Sequence, residues 1–450
     1  MLLVVVLLGG AVAAYHWSWG DRFFGTTPDE PAAVPPPQGL RIPALSAPKP
    51  VARPATSGRL HPAAVRRALA PGLSDRHLGR RTGVVVAPLS GPPVLARDTR
   101  LLRPASTTKL LTTTAALSVL GPDHTFDTRV VAAGHGRIVL VGGGDPLLAG
   151  KPNPDAPGGA DLVTLARRTA KALGGAKGKV RVGYDDTLFT GAAVNPRWPD
   201  DYVPADVVTP ISALWVDEGR VGDGPGRVGD PSLAAAQEFA ADLRRFGVSV
   251  AGAPRAREAP CPAHALATVT SRPLSDIVEH TIAFSDNEAA EVLARQVGLA
   301  TSGRGSFAGG TSAVRRALGQ LGVDLGPAKL YDGSGLSRDD RINPRSLVRM
   351  LQLAAAPDHP ELRSVLTGLP VAGFTGSLVD RFEQHPNGSG WVRAKTGTLA
   401  GVSALAGVAT DRDGTPIVFA FVSDRIALAD TLDARAALDG LAAALADCRC

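Results

Sequence analysis

A chain of 450 residues with 44% hydrophobic and 20% charged side chains has the composition of a folded protein with room for two or three domains. The 48 Lys and Arg against 42 Asp and Glu leave a net charge of +6. That balance excludes a highly charged disordered chain, and no basic run interleaved with aromatics suggests nucleic-acid binding.

Residues 2–14 form an unbroken apolar segment, short for a bilayer span and the length of a signal-peptide core. Ala11-Val12-Ala13 has the small-x-small pattern of a cleavage site, but no Lys or Arg precedes the segment. Tyr15, Trp17 and Trp19 equally suit the interfacial end of an uncleaved anchor. Residues 1–20 are therefore expected to be a signal peptide or membrane anchor, and export follows from either. Residues 21–58 are rich in Pro and Ala, including Pro35-Pro36-Pro37, and read as an extended tether.

Folding is expected to start at residue 59. The apolar runs 83–88 and 93–97, separated by Leu89-Ser-Gly-Pro92, predict a β-hairpin. Pro104-Ala-Ser-Thr-Thr-Lys-Leu-Leu111 then reads as a loop entering a long buried helix, with Ser106 at its cap. Lys109 falls one turn further on the same face, which brings an amine within reach of a hydroxyl. A serine is a poor nucleophile until a base and a positive helix terminus act on it, and a buried lysine releases its proton readily enough to be that base. The spacing alone is a weak signal. Ser46-Ala-Pro-Lys49 repeats it inside the tether, where proline forbids the helix.

Between residues 125 and 262 glycine is frequent and apolar runs are short. Strands are predicted at Val130–Val131 and Ile138–Val141, and helices at Asp161–Leu173 and Pro231–Phe246. This stretch reads as one or two small domains inserted into a discontinuous domain made of 59–124 and 263–450. Gly142-Gly-Gly-Asp145 lacks the Lys-Ser/Thr of a phosphate loop and reads as a turn.

From Ser271 an apolar helical face returns (Leu274, Ile277, Val278, Ile282), breaks at Ser285-Asp286-Asn287, and restarts through Leu293 and Val297. The break places short polar side chains on a rigid support, though helix caps alone would explain it. Tyr331-Asp-Gly-Ser-Gly-Leu336 is a glycine-rich loop in which Asp332, Ser334 and Gly335 have no derivable role. Asn343-Pro344 opens another helix. Val392–Leu399 leads into strands at Val402–Val408 and Pro416–Val422 and a closing helix near Leu428–Leu445. Strands at both ends around a helical middle predict an α+β fold with one antiparallel sheet built from N- and C-terminal strands. Of three cysteines, Cys448 and Cys450 are read as too close to pair, so a bridge, if formed, is expected from Cys261 to Cys448 or Cys450. Three reduced thiols are the equal alternative. Without a histidine cluster they make no zinc site, and no metal or other cofactor is expected.

Ser106-x-x-Lys109, Ser285-Asp-Asn287 and Lys395-Thr-Gly397 occur in the order found in penicillin-recognising serine acyltransferases. With Gly142-Gly-Gly-Asp-Pro146, Asp332–Arg338 and Ala394–Leu399, the chain from about residue 60 resembles the D-alanyl-D-alanine carboxypeptidase/endopeptidase group of low-molecular-mass penicillin-binding proteins, class C type. The long gap between Ser106 and Ser285 matches that group's habit of inserting domains there.

The resemblance implies the penicillin-binding/β-lactamase-like fold, an antiparallel sheet flanked by helices. It implies Ser106 as nucleophile toward peptidoglycan stem peptides ending in D-Ala-D-Ala, Lys109 as base, and Ser285 with Lys395 as proton relay. Asn287 would hold the substrate amide and steady Lys109. Thr396, Gly397 and Thr398 would line the edge strand beside the substrate, and the backbone N–H groups of Ser106 and Thr398 would form the oxyanion hole. β-Lactams would be covalent inhibitors, and the membrane would be met only through the N-terminal segment. A β-lactamase, whose class A type needs a further positioned glutamate, and a catalytically silent wall-binding protein are the alternatives.

Overall fold

The computed structural model describes residues 59–450 apart from 155–156, 175–177 and 223. The expected leader (1–20), the tether (21–58) and the Ser46–Lys49 spacing lie outside the described residues. In chain order, α1 (Pro62–Leu69) precedes the hairpin β1 (Arg81–Pro88) and β2 (Leu95–Arg97) and then α2 (Thr108–Leu120). The middle of the chain runs β3 (Asp127–Ala132), β4 (Arg137–Val141), α3 (Leu162–Leu173), β5 (Arg181–Asp185), α4 (Pro231–Arg245), β6 (Arg255–Ala256) and β7 (Ala265–Thr270). Five helices follow: α5 (Leu274–Ala283), α6 (Asn287–Ser302), α7 (Phe307–Gln320), α8 (Pro344–Ala355) and the short α9 (Ser364–Thr367). The strands β8 (Val392–Leu399), β9 (Val402–Thr410) and β10 (Pro416–Asp424) and the helix α10 (Thr431–Asp447) close the chain.

The first sheet has the order β2-β1-β10-β9-β8 and is antiparallel throughout, so chain ends meet in one sheet as the strand pattern predicts. Its central strand β10 is buried along its whole length, which is why it reads as an unbroken apolar run. Alternate residues face opposite cores. Val418, Ala420 and Val422 pack with Leu110, Leu111, Ile277 and Leu347 from the helical layer. Ile417, Phe419 and Phe421 pack with Val65 of α1 and Leu438 and Leu441 of α10.

Helix α2 is buried on every side from Thr108 to Leu117. A helix apolar all round belongs inside a core, and two of its three consecutive threonines remain compatible with that because their hydroxyls bond to backbone carbonyls, while the Thr114 hydroxyl is buried without a partner. Thr112 Oγ1 donates to the Gly333 carbonyl at 2.6 Å and Thr113 Oγ1 to that of Lys109 at 2.8 Å. Leu110→Ala in this helix would cost about 2–5 kcal/mol.

The second sheet has the order β6-β5-β4-β3-β7. Strands β4, β5 and β6 pair in parallel, because α3 and α4 serve as crossovers between them. Leu165 of α3 and Phe239 and Leu243 of α4 bury against Val182 and Ile138. Asp161 caps α3 by accepting from the Thr164 N–H at 2.7 Å, and Gly174 ends it with φ +60°. Strand β7 belongs to this sheet although it lies past residue 262.

The cysteine expectation is overturned. Cys448 pairs with Cys450, and Cys261 is free and exposed. The chain turns as it leaves α10, bringing the two Cα atoms to 5.4 Å, an ordinary separation for bridged residues. Among the described residues, no helix is long and apolar enough to cross a membrane.

Candidate active site

Ser106 does not cap α2. It sits in a single 3₁₀ turn, Ala105–Thr107, that feeds directly into the helix, and the bond that ties the turn is Thr107 Oγ1 to the Pro104 carbonyl at 2.7 Å. Ala105 just before it has φ +47°, a left-handed conformation uncommon outside glycine. The loop at 332–335 presses on this turn. A Cβ on Gly335 would stand 1.9 Å from the Ala105 carbonyl oxygen, so that position tolerates only glycine.

Lys109 is fully buried, and its Nζ meets three oxygens: Ser106 Oγ at 3.0 Å, Asn287 Oδ1 at 2.8 Å and the Ser334 carbonyl at 2.9 Å. The last two are themselves fixed. Asn287 donates from Nδ2 to the Val207 carbonyl at 2.9 Å, which turns its oxygen toward the lysine. The 332–335 loop hangs from the buried Glu291 of α6, which accepts from the Gly333 N–H at 3.0 Å and the Ser334 N–H at 2.8 Å. Asp332 closes the loop by accepting from the N–H groups of Gly335 and Ser337 and from Trp198 Nε1.

The break between α5 and α6 carries Ser285 at φ +59° and Asp286, whose carboxylate caps α6 through the Ala289 N–H at 2.8 Å. Ser285 Oγ accepts from the Nζ of the buried Lys395 at 2.8 Å, and the same Nζ donates to the Thr396 carbonyl at 2.8 Å. Lys395 to Thr398 lie on β8, the edge of the first sheet. The beginning of that edge is covered, since Ala372 N–H bonds to the Val392 carbonyl and Ala394 N–H to that of Pro370. Beyond it Thr396 is buried, with Oγ1 3.0 Å from Ser377 Oγ, and Thr398 is exposed. Gly397 lets the strand run against the nucleophile turn, because a Cβ there would lie 2.8 Å from the Pro104 carbonyl oxygen.

Burial drives the electrostatics. It pushes the Lys109 amine down to about 8, against the pull of Asp332 and Glu291, which favour the charged form. Burial, then the positive charges of Lys109 and Arg381, push Lys395 well below the ordinary lysine range. Burial and then Asp332 push the Glu291 carboxyl up to about 8.

The candidate residues thus fall into two hydrogen-bonded groups, Ser106-Lys109-Asn287 and Ser285-Lys395, with Thr396, Gly397 and Thr398 along the adjoining edge. Sequence reasoning missed Glu291 and Val207, and it singled out Asp332 and Ser334 without a role. Glu291 had only its helical spacing to announce it, and the oxygens of Val207 and Ser334 belong to the backbone, which no residue type reveals. Between Ser285 and Lys395, Glu-x-x-x-Asn occurs at Glu383–Asn387, and Glu383 lines a groove with Leu432 and Arg435 beside α10.

Residues 65–223 and 226–445 match the D-Ala-D-Ala carboxypeptidase 3 (S13) family. A carboxypeptidase of Mycobacterium tuberculosis is 38% identical over 410 residues, spanning 86% of this chain and 85% of its own. Carboxypeptidase DacB of Mycolicibacterium smegmatis is 34% identical over 462 residues, spanning 100% of this chain and 96% of its own. Among solved structures, penicillin binding protein 4 of Haemophilus influenzae shares the fold with a TM-score of 0.68 at 22% identity, over 86% of this chain and 98% of that one. With the family match covering most of the chain, this protein belongs to the D-Ala-D-Ala carboxypeptidase 3 (S13) family.

Proposed function

We propose that the protein is a serine-type D-Ala-D-Ala carboxypeptidase that works on peptidoglycan stem peptides through an acyl-enzyme on Ser106, and that penicillins acylate the same hydroxyl. The observation that carries this reading is the set of three oxygens around Lys109 Nζ. A neutral amine keeps two N–H donors and one lone pair. The Asn287 and Ser334 oxygens take the donors, which leaves the lone pair for the Ser106 proton.

Ser106 Oγ attacks the carbonyl of the penultimate D-alanine as Lys109 takes its proton. The C–N bond then breaks, and terminal D-alanine leaves as an amine protonated through Ser285 and Lys395. Water hydrolyses the ester and frees the serine. The backbone N–H groups of Ser106 and Thr398 stabilise the oxyanion, a contribution typically worth roughly a hundred- to a thousandfold in rate. The substrate lies as an added strand along Thr396–Thr398, and Lys395 with the two threonine hydroxyls holds its terminal carboxylate. If the leaving amine belongs to a neighbouring stem, the same steps cleave a cross-link. We propose further that residues 125–262, with β7 completing their sheet, are one or two small domains inserted into a discontinuous catalytic domain made of 59–124 and 263–450, and that the enzyme acts outside the cytoplasm, delivered by residues 1–20.

Intact-mass spectrometry after benzylpenicillin should show one stable adduct mapping to the peptide that contains Ser106. Ser106→Ala should abolish both the adduct and D-alanine release; release by that variant would refute the assignment. Rapid turnover of nitrocefin would instead favour a β-lactamase.

A further inference from the structure

Beside the Ser285–Asn287 turn, a cavity of about 510 Å³ opens, lined by Asp286, by residues of α5 and by residues of the 145–161 and 217–220 stretches. Its walls include Glu218, from the turn Asp217–Gly219, together with His280 of α5 and Asp286. Three donor atoms converge there. His280 Nε2 stands 3.3 Å from Asp286 Oδ2 and 3.9 Å from Glu218 Oε1, and one donor atom from each residue lies within 4.8 Å of both others. Asp286 is buried, and its two oxygens are used unequally. Oδ1 caps α6, while Oδ2 faces the cluster, where it contacts His280 Nε2 without a well-aligned hydrogen bond. The nearby arginines do not fill the gap. Arg220 binds the other oxygen of Glu218, and Arg227 is engaged by Glu288 and Asp206.

We propose that Glu218, His280 and Asp286 bind a divalent transition-metal ion, which joins the second-sheet region to the turn carrying Ser285 and Asn287. Two ligands on a tetrahedral Zn²⁺ at about 2.0–2.1 Å are separated by about 3.3 Å, the spacing of the His280 and Asp286 donors. One imidazole nitrogen and two carboxylate oxygens form a mixed set that suits zinc over Mg²⁺, which prefers oxygen and its own water shell. The cavity supplies the remaining coordination positions. The ion would not touch the reacting atoms; it would hold Asp286 and so stiffen the turn on either side.

The test adds Zn²⁺, and Mg²⁺ in parallel, to metal-free full-length protein and measures binding by calorimetry and bound metal after gel filtration. One Zn²⁺ per chain is expected, with a raised melting temperature and no response to Mg²⁺. Glu218→Gln and His280→Gln should each weaken zinc binding at least about tenfold and remove the thermal response, with folding checked by circular dichroism. Absence of zinc binding in the wild type overturns the proposal. So does binding unchanged in these variants, which would place the ion elsewhere, for example at His77, Asp430 and Asp433. Should both variants misfold, Co²⁺ on the wild type and on His77→Gln decides: an intense visible band from a four- or five-coordinate ion retained in both supports the site, and its loss in His77→Gln or the weak spectrum of a six-coordinate ion overturns it. These readouts need no turnover, so they stand or fall apart from the reaction proposed above.

Discussion

The two buried lysines occupy pockets of opposite character. Around Lys109 every acceptor is in place, and Asp332 and Glu291 lie near enough to favour its charged form. Around Lys395 the charges that act are those of Lys109 and Arg381, both positive, and they add to burial in disfavouring its proton. The first pocket is complete without a ligand and holds an amine poised near neutrality. The second lacks an opposite charge, and an incoming carboxylate would supply it. One residue type thus meets two opposite electrostatic settings, and these suit the proposed roles of proton transfer and anion recognition.

That contrast can be broken by exchanging losses. Lys109→Ala should slow acylation by roughly 10²–10⁴-fold for penicillin and peptide alike, measured by stopped-flow labelling, because a general base serves both. Lys395→Ala should lower kcat for acid and amide alike, through the lost proton path to Ser285, and raise KM only for a peptide with a free C-terminal carboxylate. Losing a charged hydrogen bond of about 1.5–3 kcal/mol is worth roughly ten- to a hundredfold, and a C-terminally amidated peptide should be spared that KM increase. Equal KM changes on acid and amide would mean that Lys395 does not read the carboxylate.

The pH dependence sharpens the comparison. The base must be neutral to act, so the acylation rate should rise with pH and level off above about 8, where Lys109 loses its proton. Asp332 favours the charged amine, so Asp332→Asn should move that midpoint to lower pH. An upward move would contradict the electrostatic assignment. The smallest effect belongs to Cys261→Ser. With Cys261 exposed and unbridged, its melting temperature should stay within the change that about 0.5 kcal/mol produces.

Much of this architecture was legible because the relevant signals are local. The apolar run 416–422 announced a strand, which the fold covers on both faces, and Asn343-Pro344 announced a helix start that the Asn343 side chain caps through the Arg345 N–H. Ser106 and Lys109 were legible by spacing, although only Lys109 lies on α2, which starts directly after the 3₁₀ turn that holds the serine. Of the partners that set Lys109, Asn287 was implied by the motif order, and the others were not legible. Val207 and Ser334 contribute carbonyl oxygens, and Glu291 sits among buried helical positions with nothing in its neighbours to mark it. The Glu218-His280-Asp286 cluster spans 68 residues and two packing layers, so no local pattern could reveal it. The cysteine pairing failed for a different reason. Sequence separation was taken as a distance, whereas a bend just past a helix end brought neighbours together.

The half-covered edge of β8 bears on how a polymer can be held. The segment Pro370–Ala372 already occupies the rim beside Val392–Ala394, so a guest strand has lateral room only from Lys395 onward. An added strand along β8 would therefore end its pairing where that segment begins. The fold thereby fixes how far a guest backbone can follow this edge, before any charge is considered.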